Sequence, residues 1–420
     1  MKITKMSLVA ALLVGSSAFA IENTKVTGDA NVYYMTQDGN GGSLLNAADS
    51  AADIGLNLNL TTDLFKSDAI SISAGAGYTV LTTLGLENNL VNGVWGGAHT
   101  ATANGSSFGA QVNDAAWVNE AWLAISSGKS IVKVGRMELD TPLAFTEKWT
   151  IEKNTFDAAV LINQDIPDTT LVGAFVGNGN GTENFGTVVG APASSNAAGV
   201  GAVVDANGDF NTYGTNGAYA IAAINNSWKP LTAQAWYYDV TRVATAYWLQ
   251  ADLNLDGILV GAQYSGISVD DNVAAGVSSD VYALMLGYTM KDTFTAKMSY
   301  SQVGKDFSAG FNTATANGTS VGGIAGAAQS KLYTEAWWGY GNVTRADTSS
   351  FNLTLEGTVS DIDLGAYGTI SQQNNGKNYN EGTLTASKSV GPLDATVAYI
   401  YSNPTSDYTN AVQVYLTVNF

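Results

Sequence analysis

The last ten residues, AVQVYLTVNF, alternate to the end of the chain. Val412, Val414, Leu416, Val418 and Phe420 fall on one side of an extended segment, and Gln413, Tyr415, Thr417 and Asn419 on the other. Successive side chains of a strand point to opposite faces, so this is a strand with one apolar and one polar face. It stops on an aromatic residue, where a chain end ordinarily frays in polar ones. The end must therefore be paired to another strand. The pattern recurs. DIGLNLNLTT sets Ile54, Leu56, Leu58 and Leu60 against Gly55, Asn57, Asn59 and Thr61. SFNLTLEGTV sets Phe351, Leu353, Leu355 and Val359 against Asn352, Thr354, Glu356 and Thr358.

The other end reads MKITKMSLVAALLVGSSAFA: two lysines, an apolar run from Met6 to Val14, then Ala18-Phe19-Ala20. This is the form of a secretory signal peptide over 1–20 with cleavage before Ile21. The run is shorter than the roughly 20 residues of a membrane helix. The remainder, 21–420, reads as one domain. The chain is exported yet has no cysteine, so neither disulfides nor cysteine metal sites are available. Its formal charge is −18, two units more negative once Lys2 and Lys5 leave, which disfavours nucleic acid as a partner.

No later segment has 18 consecutive apolar residues. The other structure that satisfies every backbone group in lipid is a closed β-barrel, whose strands need only about 9–11 residues apolar at alternate positions. The connections support it. Tight turns such as LDG at 255–257, SDI at 360–362 and SVGPL at 389–393 are interleaved with long polar stretches at 37–51, 81–113, 137–154, 177–216, 267–279, 304–330, 371–379 and 402–409. Outer-membrane barrels have short periplasmic turns and long extracellular loops. Nineteen segments pass as strands, whereas a bacterial barrel has an even number. The weak one, KLYTEAWWGYG at 331–341, breaks the alternation of short and long connections; merged into one loop over 304–349, it leaves 18 strands, with 16 as the alternative. The expected fold is thus an all-β transmembrane antiparallel barrel. Its last strand pairs with the first, TKVTGDANVYYMT, which seals the cylinder and accounts for the paired terminus.

A terminal Phe420 preceded by Val414, Leu416 and Val418 resembles the signal read by the outer-membrane assembly machinery. The chain in size and plan resembles Gram-negative general porins, and VGRMELDTPLAFTEKW at 134–149, with FDAAVLI and IPDTTLVGAFVG after it, resembles the OprD-like porins most. The resemblance implies a third loop folded into the lumen, a homotrimer, an outer-membrane location and lipid and lipopolysaccharide as neighbours. OprD-like porins for basic substrates carry a ladder of arginines; this chain has only Arg136, Arg242 and Arg345, a departure that puts such a ladder in doubt.

The third loop would bring Glu138, Asp140, Glu147, Lys148, Glu152 and Lys153 to the constriction. Thr141-Pro142 predicts a helix start, with Phe145 and Trp149 one turn apart. Alternation places Glu120, Lys133, Asp157, Lys297, Glu356 and Asp394 on the lumen face, along with Asp29. Charge facing lipid is costly, which favours the same assignment. Tyrosines and tryptophans near strand ends suit girdles at the membrane interfaces. DANGDFN at 205–211 spaces Asp205, Asn207 and Asp209 like the first ligands of a calcium loop, but lacks the following Gly and closing Glu; it is a structural calcium site or a plain turn. The lone His99 has no metal or catalytic partner, and no other cofactor is implied. The expected function is passive diffusion of ions and small hydrophilic solutes, without catalysis and with a moderate cation preference. An acidic surface-layer or adhesin-like structural protein is the alternative, and a secreted β-rich enzyme a third reading.

Overall fold

A computed structural model describes residues 22–82, 84, 91, 93–94, 115–149, 152–180, 210–213, 216–271, 273, 275–290, 293–314, 328–374, 378–403 and 408–420. Eighteen long antiparallel strands form one closed sheet. They are β1 (Glu22–Gln37), β2 (Ser50–Lys66), β3 (Ser71–Thr82), β4 (Ala115–Ser127), β5 (Ser130–Met137), β6 (Phe156–Asn163), β7 (Thr169–Gly179), β8 (Ala218–Asn225) and β9 (Leu231–Val240). The second half comprises β10 (Ala244–Leu255), β11 (Ile258–Val269), β12 (Ser278–Met290), β13 (Phe294–Val303), β14 (Thr348–Val359), β15 (Ile362–Gln373), β16 (Asn378–Val390), β17 (Leu393–Ser402) and β18 (Thr409–Asn419).

Each strand pairs with its neighbour in sequence, and β18 closes on β1 in register from Asp29↔Asn419 to Gln37↔Ala411. The seam continues through the last residue: Gly28 N donates to Phe420 O at 2.9 Å, and Phe420 N to Gly28 O at 3.0 Å. The cylinder leaves no free sheet edge, as a backbone surrounded by hydrocarbon requires.

The tight turns gather at one end. Asp256 and Gly257, and Ser360 and Asp361, have positive φ, the conformation of two-residue hairpins matched to strand twist. The long connections lie at the other end. One connection at that end is short: β9 and β10 are joined by only 241–243, with Arg242 at φ 63°. The segment 331–341 contains no strand, in keeping with the merged loop that brings the count to eighteen.

Outside and inside separate by parity. Leu123, Ile125, Val132, Val134, Leu161, Leu284, Leu286, Leu353 and Leu384 are exposed on one face. The opposite face is touched by loop residues 331–339 on β11, β13, β14 and β16 in turn, which a segment achieves only from within the cylinder. The aromatic girdle is half as expected. Tyr237, Tyr282, Tyr399 and Tyr401 face outward near the loop end, and Trp228 at the turn end. Tyr33, Tyr238 and Trp248 face inward and are buried. They do so because the interior is not polar throughout. Trp236, Tyr238, Val240, Ala246, Trp248, Ile267, Val281 and Val303 line one side of the wall and pack against Leu139, Leu143, Phe307, Phe311 and Leu332 of two loops.

Candidate functional site

Two loops enter the lumen through their described residues, 138–149 and 152–155 of the first and 304–314 and 328–347 of the second. The first is a hairpin. Asp140 and Phe145 form a bridge, Thr146 N donates to Leu139 O at 2.8 Å, and Lys148–Trp149 pairs with Glu152–Lys153. The helix expected from Thr141-Pro142 is absent. Thr141 does hold a turn, its Oγ1 accepting from Ala144 N at 3.2 Å, but the chain then reverses and pairs with itself. Leu143 and Phe145 are buried against the other loop and the wall instead of along one helical turn.

The second loop was expected at the outer rim, and its inward course is a correction to the sequence reading. Its 328–339 portion runs as a belt along the inner wall. Gln263 Nε2 donates to Lys331 O at 2.8 Å, Thr334 Oγ1 meets Ser301 Oγ at 2.7 Å, and Asn352 Nδ2 donates to Glu335 O at 3.2 Å. The backbone N–H groups of Trp338 and Gly339 donate to the Glu381 carboxylate at 3.0 and 2.8 Å. Bonds to a buried carboxylate are about twice as strong as neutral ones, so Glu381 is the firm anchor of this end. Gly339 is required there, since a Cβ would stand 2.0 Å from Tyr379 Oη.

The two loops are joined to each other. Asn312 Nδ2 donates to Phe145 O and to Glu147 Oε1, both at 2.8 Å, and its Oδ1 accepts from Phe145 N at 3.2 Å. Gln329 N donates to Glu147 Oε1 at 2.9 Å. Lys331 pairs with Asp140 and lies 5.0 Å over the Phe145 ring.

Four charged groups, Lys153, Glu138, Glu120 and Lys133, then converge on the open side. Lys153 bonds to Glu120 at 3.2 Å and to Glu138, while Lys133 lies 4.0 Å over the Trp122 ring. Trp122 Nε1 donates to Glu120 Oε2 at 3.1 Å. Burial pulls the Lys153 ammonium toward neutrality, but the bond and charge of Glu138, with Glu120, outweigh it and hold the group above its ordinary range. Glu138 and Asp140 keep 47% and 90% of their side chains exposed, so water reaches the site.

Of the expected constriction residues, Glu138, Asp140 and Lys153 lie here, Lys148 is exposed on the hairpin, and Glu152 stands across from Trp149. Glu147 does not face the channel: it is 1% exposed and serves as the acceptor that ties the loops together. Lys331, which the sequence reading did not select, takes a place beside Asp140. The signal for it was the aromatic stretch KLYTEAWWGYG, too apolar for a solvated rim loop.

Among the expected lumen residues, Glu120, Lys133, Lys297, Glu356 and Asp394 share the inward parity, as does Asp29. Asp157 does not. Phe156 is inward and buried, so Asp157 faces outward with Leu161. There it pairs with Arg136 at 2.8 Å, under the Phe210 ring. The pair sits at the loop end of β5 and β6, above the apolar band, where charge carries little cost. None of the three arginines joins the lumen wall between the strand ends. Arg136 is outside, Arg242 is in the 241–243 turn, and Arg345 is at the base of the second loop. The positive groups of the lumen strands are lysines.

Asp205, Asn207 and Asp209 lie outside the described residues. Among the described residues no group of three His, Cys, Asp or Glu side chains is placed to hold a metal ion.

The fold is that of solved Occ porins. OccK8 (OprE) of Pseudomonas aeruginosa superposes with a TM-score of 0.68 at 13% identity, covering 96% of this chain and 99% of that one. OpdK of the same organism, solved with vanillate, gives 0.67 at 13% identity over 95% and 99%. OccAB2 of Acinetobacter baumannii gives 0.69 at 12% identity over 95% and 98%. No protein-family model matches the chain. No curated protein matches it either.

Proposed function

We propose that the protein is an outer-membrane porin: a water-filled channel through which ions and small hydrophilic solutes diffuse passively. The observation that carries this reading is the combination of a sealed barrel, loops held inside it by buried hydrogen bonds, and charged side chains on that narrowing which remain wet. A structural or adhesive barrel has no need to organise exposed ion pairs inside its own lumen. The outward Leu, Ile, Val and Tyr band fits hydrocarbon and its interfaces. The terminal strand, with Val414, Leu416 and Val418 facing outward, fits insertion by the barrel assembly machinery. Lipopolysaccharide as the outer-leaflet neighbour and assembly as a homotrimer belong to the same proposal.

The selectivity we propose is a moderate cation preference. At the narrowing the groups balance: Glu120, Glu138 and Asp140 against Lys133, Lys153 and Lys331. Away from it the inward acids Asp29, Asp252, Glu356, Asp363 and Asp394 outnumber the inward strand lysines Lys25, Lys66 and Lys297 among the described residues, and a charged lining within low-dielectric walls concentrates counter-ions. Single-channel recording from purified protein in a planar bilayer tests the channel. Regular conductance steps are expected, and their absence from correctly folded protein would remove this reading in favour of a structural barrel.

A further inference from the structure

We infer that the lumen wall on the turn side of the narrowing holds a station for small organic ammonium solutes, built on β14 and β15. This rests on the channel reading above and names the solute class for it. Three kinds of group converge on one hollow. Trp337, from the inner belt, and Tyr367, from β15, bring their rings to 6.4 Å. Tyr367 Oη donates to Glu356 Oε1 at 3.1 Å, so the phenol orients that carboxylate and leaves its second oxygen unused by the ring. One step along the same face, Asp363 accepts from Thr358 Oγ1 at 2.6 Å. Tyr367, Glu356, Thr358 and Asp363, together with Thr295, Thr385 and Ser387, line a cavity of about 320 Å³, with the Trp337 ring beside that of Tyr367.

The hollow is written into the register. Gly365 stands directly across from Glu356, and a Cβ there would meet Thr385 Oγ1 at 2.5 Å and the Tyr367 ring at 2.6 Å. A side chain at 365 would displace the ring that orients the acid.

The chemistry selects a cation. Two carboxylates on one face, neither of them in an ion pair among the described residues and with the single Lys297 one pair along on β13, attract positive charge and repel carboxylates. Aromatic faces attract ammonium groups through their quadrupole. The hydroxyls complete a shell for N–H donors. A guanidinium ladder that would draw carboxylate solutes is missing from this wall. The volume is at the low end of small-ligand sites, about 300–1,000 Å³, which suits a short amine.

The test is current block in planar bilayers by 1,4-diaminobutane, with succinate and glucose as matched anionic and neutral probes. The diamine should block in a concentration-dependent way, and succinate and glucose should not. In Glu356→Gln/Asp363→Asn the blocking constant should weaken by about threefold or more, the scale of two exposed charge contacts. Trp337→Ala should weaken it in the same sense. Asp280→Asn, on the outer face, serves as the control and should leave block unchanged. Diamine block that survives the double substitution overturns the station, as does equal block by glucose or succinate. Those results leave conductance steps in place, so they are distinguishable from failure of the channel itself. Heat-dependent gel mobility confirms that each variant is folded.

Discussion

The ring of Phe420 occupies the space that a side chain on Gly28 would fill. A Cβ built on Gly28 would lie 2.7 Å from Phe420 Cζ and 2.3 Å from the backbone oxygen of Asn57. The last residue of the chain and a glycine near its start are thus shaped to each other at the barrel seam, with reciprocal backbone bonds between them. Gly28→Leu should weaken closure by roughly 1–3 kcal/mol, the scale of overpacking against backbone that cannot move away. Deleting Phe420 should be worse, because the seam loses both backbone bonds and the outward anchor. The measurement is the fraction of protein that migrates faster before boiling than after. Equal fractions for wild type and both variants would mean the seam tolerates an open end.

Asn312 is the hub between the two inward loops, bonding to Phe145 through both backbone groups and to Glu147. Asn312→Ala should remove local packing worth roughly 2–4 kcal/mol, at about 1 kcal/mol per hydrogen bond. The barrel ladder does not depend on these contacts. The expected result is a noisier and larger single-channel conductance with unchanged thermal unfolding of the barrel. Unaltered conductance would show that the two loops do not limit the passage.

Much of this barrel is legible in period two alone. The terminal strand, the strand count and the sealing of β18 on β1 all follow from alternation and from the spacing of turns. What alternation could not show is where the parity slips or where a loop goes. Asn119 sits in a bulge where Gly77 pairs with Glu120 but Tyr78 with Val118, so two consecutive residues share the inner side. Alternation places Asp157 inward, and the cost of charge in lipid that favours the same assignment loses force at the strand's loop end beside Arg136. The inner belt over 331–339 has the apolar content of a strand, but its partners are scattered over β11, β13, β14 and β16. Tertiary contacts of that kind leave no local period to read.

Glu335 gives the inner belt a pH dependence. Burial pushes its carboxyl up to about 8, and neighbouring Glu147 adds to this, while bonds from Ser330 and Ala336 N work in the opposite direction. The packed loop therefore binds a proton that a freely hydrated carboxyl, at its ordinary 4.5, would already have lost. Its contribution is full below that ordinary value and is lost as pH rises toward 8. Conductance noise and protease cleavage within 328–341 should increase across this window, and Glu335→Gln should flatten the change. A response that persists in Glu335→Gln would place the titrating group elsewhere.

The narrowing is held near neutrality by Lys331, which the second loop delivers to Asp140 of the first. Removing either partner should move selectivity in opposite directions. Lys331→Ala leaves Asp140, 90% exposed, without its counter-charge, and should raise the cation preference. Asp140→Asn frees Lys331 and should lower it. Both shifts should shrink with added salt, because screening shortens to about 3 Å near 1 M. Reversal potentials in a salt gradient measure the sign directly. For the unaltered protein a cation-side potential at low salt is expected from Glu356, Asp363 and Asp394 beyond the narrowing. An anion-side potential that Asp140→Asn leaves unmoved would mean the lysines of β5 and the hairpin, Lys133 and Lys153, control the passage, with the acids screened behind them.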